Sequence, residues 1–265
     1  MPTIEIEGTT VSYQADGAGP GLVLVHGTGG DGESNWGNVV ERFTPRWKVV
    51  RPDYAGSGKT VDGGAPLSIA QLAAQVVASA RAAGATPFDL VGFSLGASLA
   101  AYIAAEYPQE VRALVLLAGF ASAGDGRMQL EFGLWRDLIH SDRRAMARLL
   151  LLTGLSPDFL AGLSPRQIEE NIDAIIAGNQ WEGMGRQVAL NLTLDVSGQV
   201  RRIAKPTLVI GCLRDHMVPP AHARALAASI AGARYAELAC GHLATLERPD
   251  EFTQLVTDFL LAGGR

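Results

Sequence analysis

The chain has 265 residues, 48% of them apolar and 18% charged, and carries a formal net charge of -5. That balance supports a sizeable core, excludes a disordered chain, and argues against a nucleic-acid partner, which would need a basic face. The basic pairs Arg143-Arg144 and Arg201-Arg202 are isolated and read as solvated surface. No apolar run reaches the ~18 residues of a membrane span, and the first residues, MPTIEIEGTTVSYQ, lack the basic-then-apolar pattern of an export signal. Cys212 and Cys240 are too few for a disulfide framework or a zinc site, so two reduced thiols in a cytoplasmic protein are expected.

The N-terminus alternates as a hairpin, with Ile4-Glu5-Ile6 and Val11-Ser12-Tyr13 on either side of Gly8. Leu22-Val23-Leu24-Val25 is an unbroken apolar run, as in strands buried on both faces, and it ends in His26-Gly27-Thr28-Gly29-Gly30. A polar, unhelical stretch through Ser34 precedes an amphipathic one around Trp36 to Phe43, and Val49-Val50 closes a strand in Arg51-Pro52-Asp53. Ser68 and Gln71 form a capping box for a helix running to about Ala83, with Gly84 suited to its end. Asp89 to Gly92 reads as a strand, Leu95 to Tyr107 as a helix, and Ala113 to Leu117 as a strand. Strands alternating with helices imply an α/β fold with a mostly parallel sheet covered on both faces.

The alternation lapses from about Ala121 to Val200, where only helical patterns are visible, and resumes with strands at Pro206 to Gly211 and Arg234 to Leu238. Residues 1–120 and 201–265 therefore read as one core, and 121–200 as a helical cap over the sheet's C-terminal edge.

Three motifs compete. Gly27-Thr-Gly29-Gly-Asp-Gly32 matches a dinucleotide fingerprint, but a polar loop follows it where a helix N-terminus is needed. Gly56-Ser-Gly58-Lys59-Thr60 resembles the tail of a phosphate loop, yet Asp53 stands where that loop's first glycine belongs, and a carboxylate there repels phosphate. No nucleotide cofactor is expected. The third motif, Gly92-Phe93-Ser94-Leu95-Gly96, lies between a strand and a helix, the setting of a strained turn that projects a serine hydroxyl from the strand's end. Small neighbours are required there because strand and helix converge, and Gly92 and Gly96 meet that need.

A serine hydroxyl is a poor nucleophile until an imidazole takes its proton and a carboxylate orients that imidazole. Asp215 follows the strand through Gly211, and His242 follows the strand through Leu238, in the order serine, acid, histidine. All three lie at C-terminal ends of expected parallel strands. Asp53 comes too early to be the acid and is expected to fix a turn, while Glu247 falls in the helix after His242.

With these residues in view, nearly the whole chain resembles the α/β-hydrolase superfamily, most closely its capped esterases and enol-lactonase-like members. His26-Gly27 resembles the family's oxyanion loop. Asp53-Tyr-Ala-Gly56-Ser-Gly58 is similar to its D-x-x-G-x-G turn, and Gly241-His242 to Pro249 resembles its catalytic-histidine segment. The resemblance implies acyl transfer to water, with Ser94, Asp215 and His242 as triad and the backbone N–H groups of Thr28 and Leu95 holding the oxyanion. Gly29 is the fallback for the second donor.

His26 is expected to brace the oxyanion loop, and His216, His140 and His222 to play no catalytic part. Cys240-x-His242 is the one spacing that suggests a metal, and the triad explains it better. Phe93, Trp135, Trp181, Met184 and Met217 are the expected pocket residues, with most other apolar side chains of the cap serving as packing. The expected substrate is a hydrophobic carboxylic ester or thioester. Lactone opening, carbon–carbon hydrolysis, a non-catalytic binding module and a nucleotide-dependent enzyme are the alternatives. A monomer or small homo-oligomer acting on a small molecule is expected.

Overall fold

The computed structural model describes residues 1–263. Eight strands form one sheet in the order β1-β2-β4-β3-β5-β6-β7-β8. These are β1 (Thr3–Ile6), β2 (Thr9–Asp16), β3 (Gly21–Val25), β4 (Lys48–Asp53), β5 (Phe88–Phe93), β6 (Val111–Leu117), β7 (Thr207–Cys212) and β8 (Arg234–Leu238). Each expected strand is present. The β1–β2 and β2–β4 pairs are antiparallel and the remainder parallel.

Both faces of the sheet are covered, so β3, β5 and β7 are buried throughout and show no polar alternation. On one face pack α3 (Ile69–Ala82), α4 (Leu95–Glu106), α10 (Ser197–Val200) and α11 (Pro220–Ser229). On the other, α1 (Gly32–Trp36), α2 (Val40–Phe43) and α13 (Pro249–Leu261) contribute Trp36, Phe43, Phe252 and Phe259. The Ser68 hydroxyl accepts the Gln71 N–H at the start of α3, one half of the expected box.

One local expectation fails. The segment after Gly30 is not an unhelical loop, because α1 begins at Gly32. Asp31 accepts the N–H groups of Glu33 and Ser34, while Ser34 accepts the Asp31 N–H. This reciprocal capping outweighs the poor helix propensity of Gly32. The objection to a dinucleotide site therefore changes its ground: the Asp31 carboxylate itself fills the place a phosphate would take.

Between β6 and β7 the chain leaves the sheet to form α5 (Gly126–Ser141), α6 (Arg143–Gly154), α7 (Pro157–Ala161), α8 (Pro165–Gly178) and α9 (Trp181–Thr193). It leaves and re-enters side by side. Ser122 bridges Asp195, Ala123 N–H donates to Leu194 at 3.2 Å, and Val196 N–H donates to Ala121 at 2.8 Å. Among the described residues no helix is long and apolar enough to cross a membrane.

Candidate active site

The strand order reverses between β3 and β5, with β4 to one side and the later strands to the other. Open parallel sheets offer a crevice at such a point, beyond the strands' C-terminal ends. The loop after β3 carries His26 to Gly30, and Ser94 follows β5 directly.

Ser94 has φ 57° and ψ -122°, an uncommon and strained backbone for a residue with a Cβ. The turn is made possible by its glycines. A Cβ on Gly92 would collide with the Gly96 carbonyl, and one on Gly96 with the carbonyls of Val25 and His26. Leu95 opens α4, so its N–H has no acceptor within the helix.

Asp215 and His242 meet in the loops after β7 and β8. His242 Nδ1 lies 2.6 Å from Asp215 Oδ2, with both side chains buried. Asp215 Oδ1 accepts the N–H groups of Met217 and Val218, each at 2.9 Å. The carboxylate is thus fixed by its own loop, and its second oxygen meets the imidazole at Nδ1. The Phe93 ring packs against the His242 ring with centroids 4.7 Å apart.

Ser94 and His242 both line a cavity of about 450 Å³ beneath the inserted helices. Thr28, Phe93, Met217 and Val218 lie on its sheet side, and Phe132, Trp135, Leu150, Leu151 and Met184 come from the insertion. Of the expected pocket residues, Phe93, Trp135, Met184 and Met217 line the cavity. Trp181 does not: its indole N–H donates to the Ile176 carbonyl at 3.1 Å, and the Arg143 guanidinium lies over its ring at 5.4 Å. It packs the insertion together at the start of α9. Leu134 and Leu152 point outward and are exposed.

The loop after β3 is held from several sides. Burial lowers the His26 pKa despite the Asp53 charge, so the ring is neutral; its Nδ1 lies 2.8 Å from the Gly27 carbonyl, and it stacks on Tyr54 at 3.9 Å. Tyr54 donates to the carbonyls of His26 and Gly27. Asn35 accepts the Gly27 N–H at 2.8 Å. Two buried side chains of α9 complete the set. Gln187 accepts the Gly29 N–H at 2.9 Å and donates to Ser57, and Asn191 donates to the Thr28 hydroxyl at 2.9 Å. The Gly29 N–H is therefore already engaged, which weakens the fallback and favours Thr28.

Glu247 acts as a bolt. It accepts the Ser156 N–H and hydroxyl from the insertion and the Gly241 N–H beside His242. Asp53 accepts the N–H groups of Gly32 and Lys59, fixing turns as expected. His216 and His140 are exposed, and His222 lies 3.5 Å from Asp125. Cys212 and Cys240 are buried free thiols joined by a side-chain hydrogen bond, and this contact with burial pushes the Cys212 pKa well up. Among the described residues no group of three His, Cys, Asp or Glu side chains could hold a metal ion.

Gln187 and Asn191 carry no sequence signal, since each acts through a partner distant in the chain; the bonds of Asn35 to Gly27 and of Glu247 to Ser156 and Gly241 follow no motif either. Glu131, at the cavity wall, had only its i,i+4 relation to Arg127 to mark it.

Comparison with known proteins agrees with this fold. The chain is 53% identical over 262 residues to the pyrrolizixenacetamide deacetylase of Xenorhabdus hominickii, covering 99% of this chain and 98% of that protein. It is 29% identical over 258 residues to the pimeloyl-[acyl-carrier protein] methyl ester esterase of Xanthomonas axonopodis pv. citri, covering 92% of this chain and 96% of the esterase. The crystal structure of the enol-lactonase from Burkholderia xenovorans LB400 superimposes with a TM-score of 0.87 at 26% identity, over 98% of this chain and 100% of that one. The profile of the alpha/beta hydrolase fold matches residues 20–249, and the chain belongs to that family of hydrolases.

Proposed function

We propose that the protein is a serine hydrolase that removes a short acyl group from an amide of a largely apolar small molecule. The observation that carries this reading is the placement of a strained Ser94 and an Asp215-held His242 on the wall of one mostly apolar cavity. The choice of an amide over the ester or thioester expected from sequence rests on the deacetylase relative, which is much more similar than the esterase.

In this reading residues 121–200 act as the cap. His242 Nε2 takes the Ser94 proton as Oγ attacks the carbonyl carbon. The N–H groups of Thr28 and Leu95 hold the resulting oxyanion, and Asp215 stabilises the imidazolium. The imidazolium then passes its proton to the amide nitrogen, the C–N bond breaks, and the amine leaves. Water, deprotonated by the same histidine, releases the acyl group. An ester follows the same steps with an easier leaving group, so a matched ester is a substrate as well.

The test pairs 4-nitroacetanilide with 4-nitrophenyl acetate, on wild type and Ser94→Ala. Hydrolysis of both by the wild type and of neither by the variant is expected, with an organophosphonate labelling Ser94. Full activity in Ser94→Ala, or labelling elsewhere, would overturn the reading.

A further inference from the structure

We propose that Glu131 accepts the N–H of the scissile amide during C–N cleavage, and so sets the enzyme's preference for amides relative to esters. The inference rests on the function proposed above and assigns a task to a side chain that the triad mechanism leaves unused.

Glu131 lies on α5 and lines the same cavity as Ser94 and His242. Its Oε2 accepts from Arg127 at 2.7 Å, while its Oε1, shut off from water, has no hydrogen-bond partner among the described residues. Only 11% of the side chain is exposed. An acceptor left in that condition is costly unless a donor reaches it; the side chain lines the cavity, and a turn of its carboxyl group brings Oε1 within reach of a donor on the cavity's occupant. Arg127 also donates to the carbonyls of His216 and Met217, so Glu131 is tied to the loop that carries Asp215.

The chemistry identifies the donor. An ester has no hydrogen on its leaving atom, whereas a secondary amide has one. When Ser94 adds to the carbonyl, the nitrogen becomes pyramidal and must turn its lone pair toward the His242 imidazolium. That motion swings the N–H away from His242, and an acceptor waiting for it lowers the barrier for amides alone. Glu131 takes a hydrogen bond in this step and no proton; the proton that reaches nitrogen comes from Ser94 by way of His242. Asn179 Oδ1, a side-chain acceptor of a cavity residue that also lacks a partner among the described residues, sits over Gly29 in the loop that would meet the oxyanion.

Burial raises the Glu131 pKa to about 7, with Arg127 opposing the rise. The charged or titratable groups facing it are Arg127 from its own helix and His242 and Asp215 from the loops after β8 and β7. The carboxylate, the stronger acceptor, therefore forms as pH rises through about 7.

The experiment measures the ratio of kcat/KM for 4-nitroacetanilide to that for 4-nitrophenyl acetate across pH 6 to 8.5, in wild type, Glu131→Gln and Glu131→Leu. The ratio should rise with pH in the wild type and stay level in both variants. At pH 8 it should fall by roughly ten-fold or more in Glu131→Leu, the size expected for a charge-assisted hydrogen bond, and by less in Glu131→Gln, which keeps a neutral acceptor. An unchanged ratio, including one left level because both substrates lose equally, would overturn the role of Glu131 while leaving the hydrolase intact. A wild type that cleaves the ester and no anilide would instead overturn the amide reading, and this inference with it.

Discussion

The two walls of the cavity are built on different principles. The sheet-side wall is held by backbone: Ser94 by a φ of 57°, the Leu95 N–H by its place at the start of α4, and Asp215 by the N–H groups of its own loop. The insertion-side wall is held by side chains that reach across, such as Gln187 to Gly29, Asn191 to Thr28 and Ser156 to Glu247. Backbone geometry is set by short local sequence and tolerates few substitutes. Cross-chain side-chain contacts can be exchanged singly, so the same reaction can be roofed for different substrates.

The largest expected effect belongs to the backbone-held wall. Ser94→Ala and His242→Ala should each lower kcat by roughly four to six orders of magnitude, and the double variant should be no worse, because the two act as one unit. Steady-state assays on all three would reveal independent roles if the losses multiplied.

Gln187 tests whether the insertion takes part in catalysis. Gln187→Leu removes the acceptor for the Gly29 N–H and should displace the neighbouring Thr28 donor by a fraction of an ångström. A fall in kcat of roughly ten- to a hundred-fold with little change in KM is expected, the pattern of an interaction realised in the transition state. Affinity for a trifluoromethyl ketone should fall in parallel. A change confined to KM would return Gln187 to simple packing.

The same contrast explains what could be read in advance. The strands, the elbow at Ser94 and the order of Asp215 and His242 were legible because each depends on residues adjacent in the chain. Helix α1 is not legible in the sequence because a capping pair at Asp31 and Ser34 competes with the glycine between them. The direction of Trp181 is not legible either, because apolarity alone does not say which way a ring faces; its indole N–H is bonded within the insertion. The partners of Glu247, Ser156 and Gly241, cannot be inferred from spacing.

The two tryptophans give a smaller and sharper comparison. Lengthening an alkyl chain on the amine side of an acetamide should raise kcat/KM by up to roughly four-fold per methylene, equivalent to ~0.8 kcal/mol, until the cavity is full. Trp135→Ala should flatten that rise while sparing the shortest amide. Trp181→Ala should leave the slope intact and lower Tm. A wild-type slope kept in Trp135→Ala would mean that this part of the insertion-side wall does not contact the apolar chain.

The smallest expected effect is on stability, and it asks what the insertion gives up to keep Glu131 at the cavity. In the folded protein this carboxyl holds its proton up to about 7, against an ordinary value of 4.5. Between those two values the folded state binds more protons than the unfolded state, so this group makes the protein less stable as pH rises through that window. Glu131→Gln removes the titration and keeps the shape. The Tm difference, variant minus wild type, should therefore grow by a few degrees from about pH 4.5 to pH 7 and then level off. A difference that stays constant would mean that the carboxyl ionises as easily in the fold as in water. A growing difference would show a stability cost, and a buried acid that weakens its own fold is expected where activity needs it.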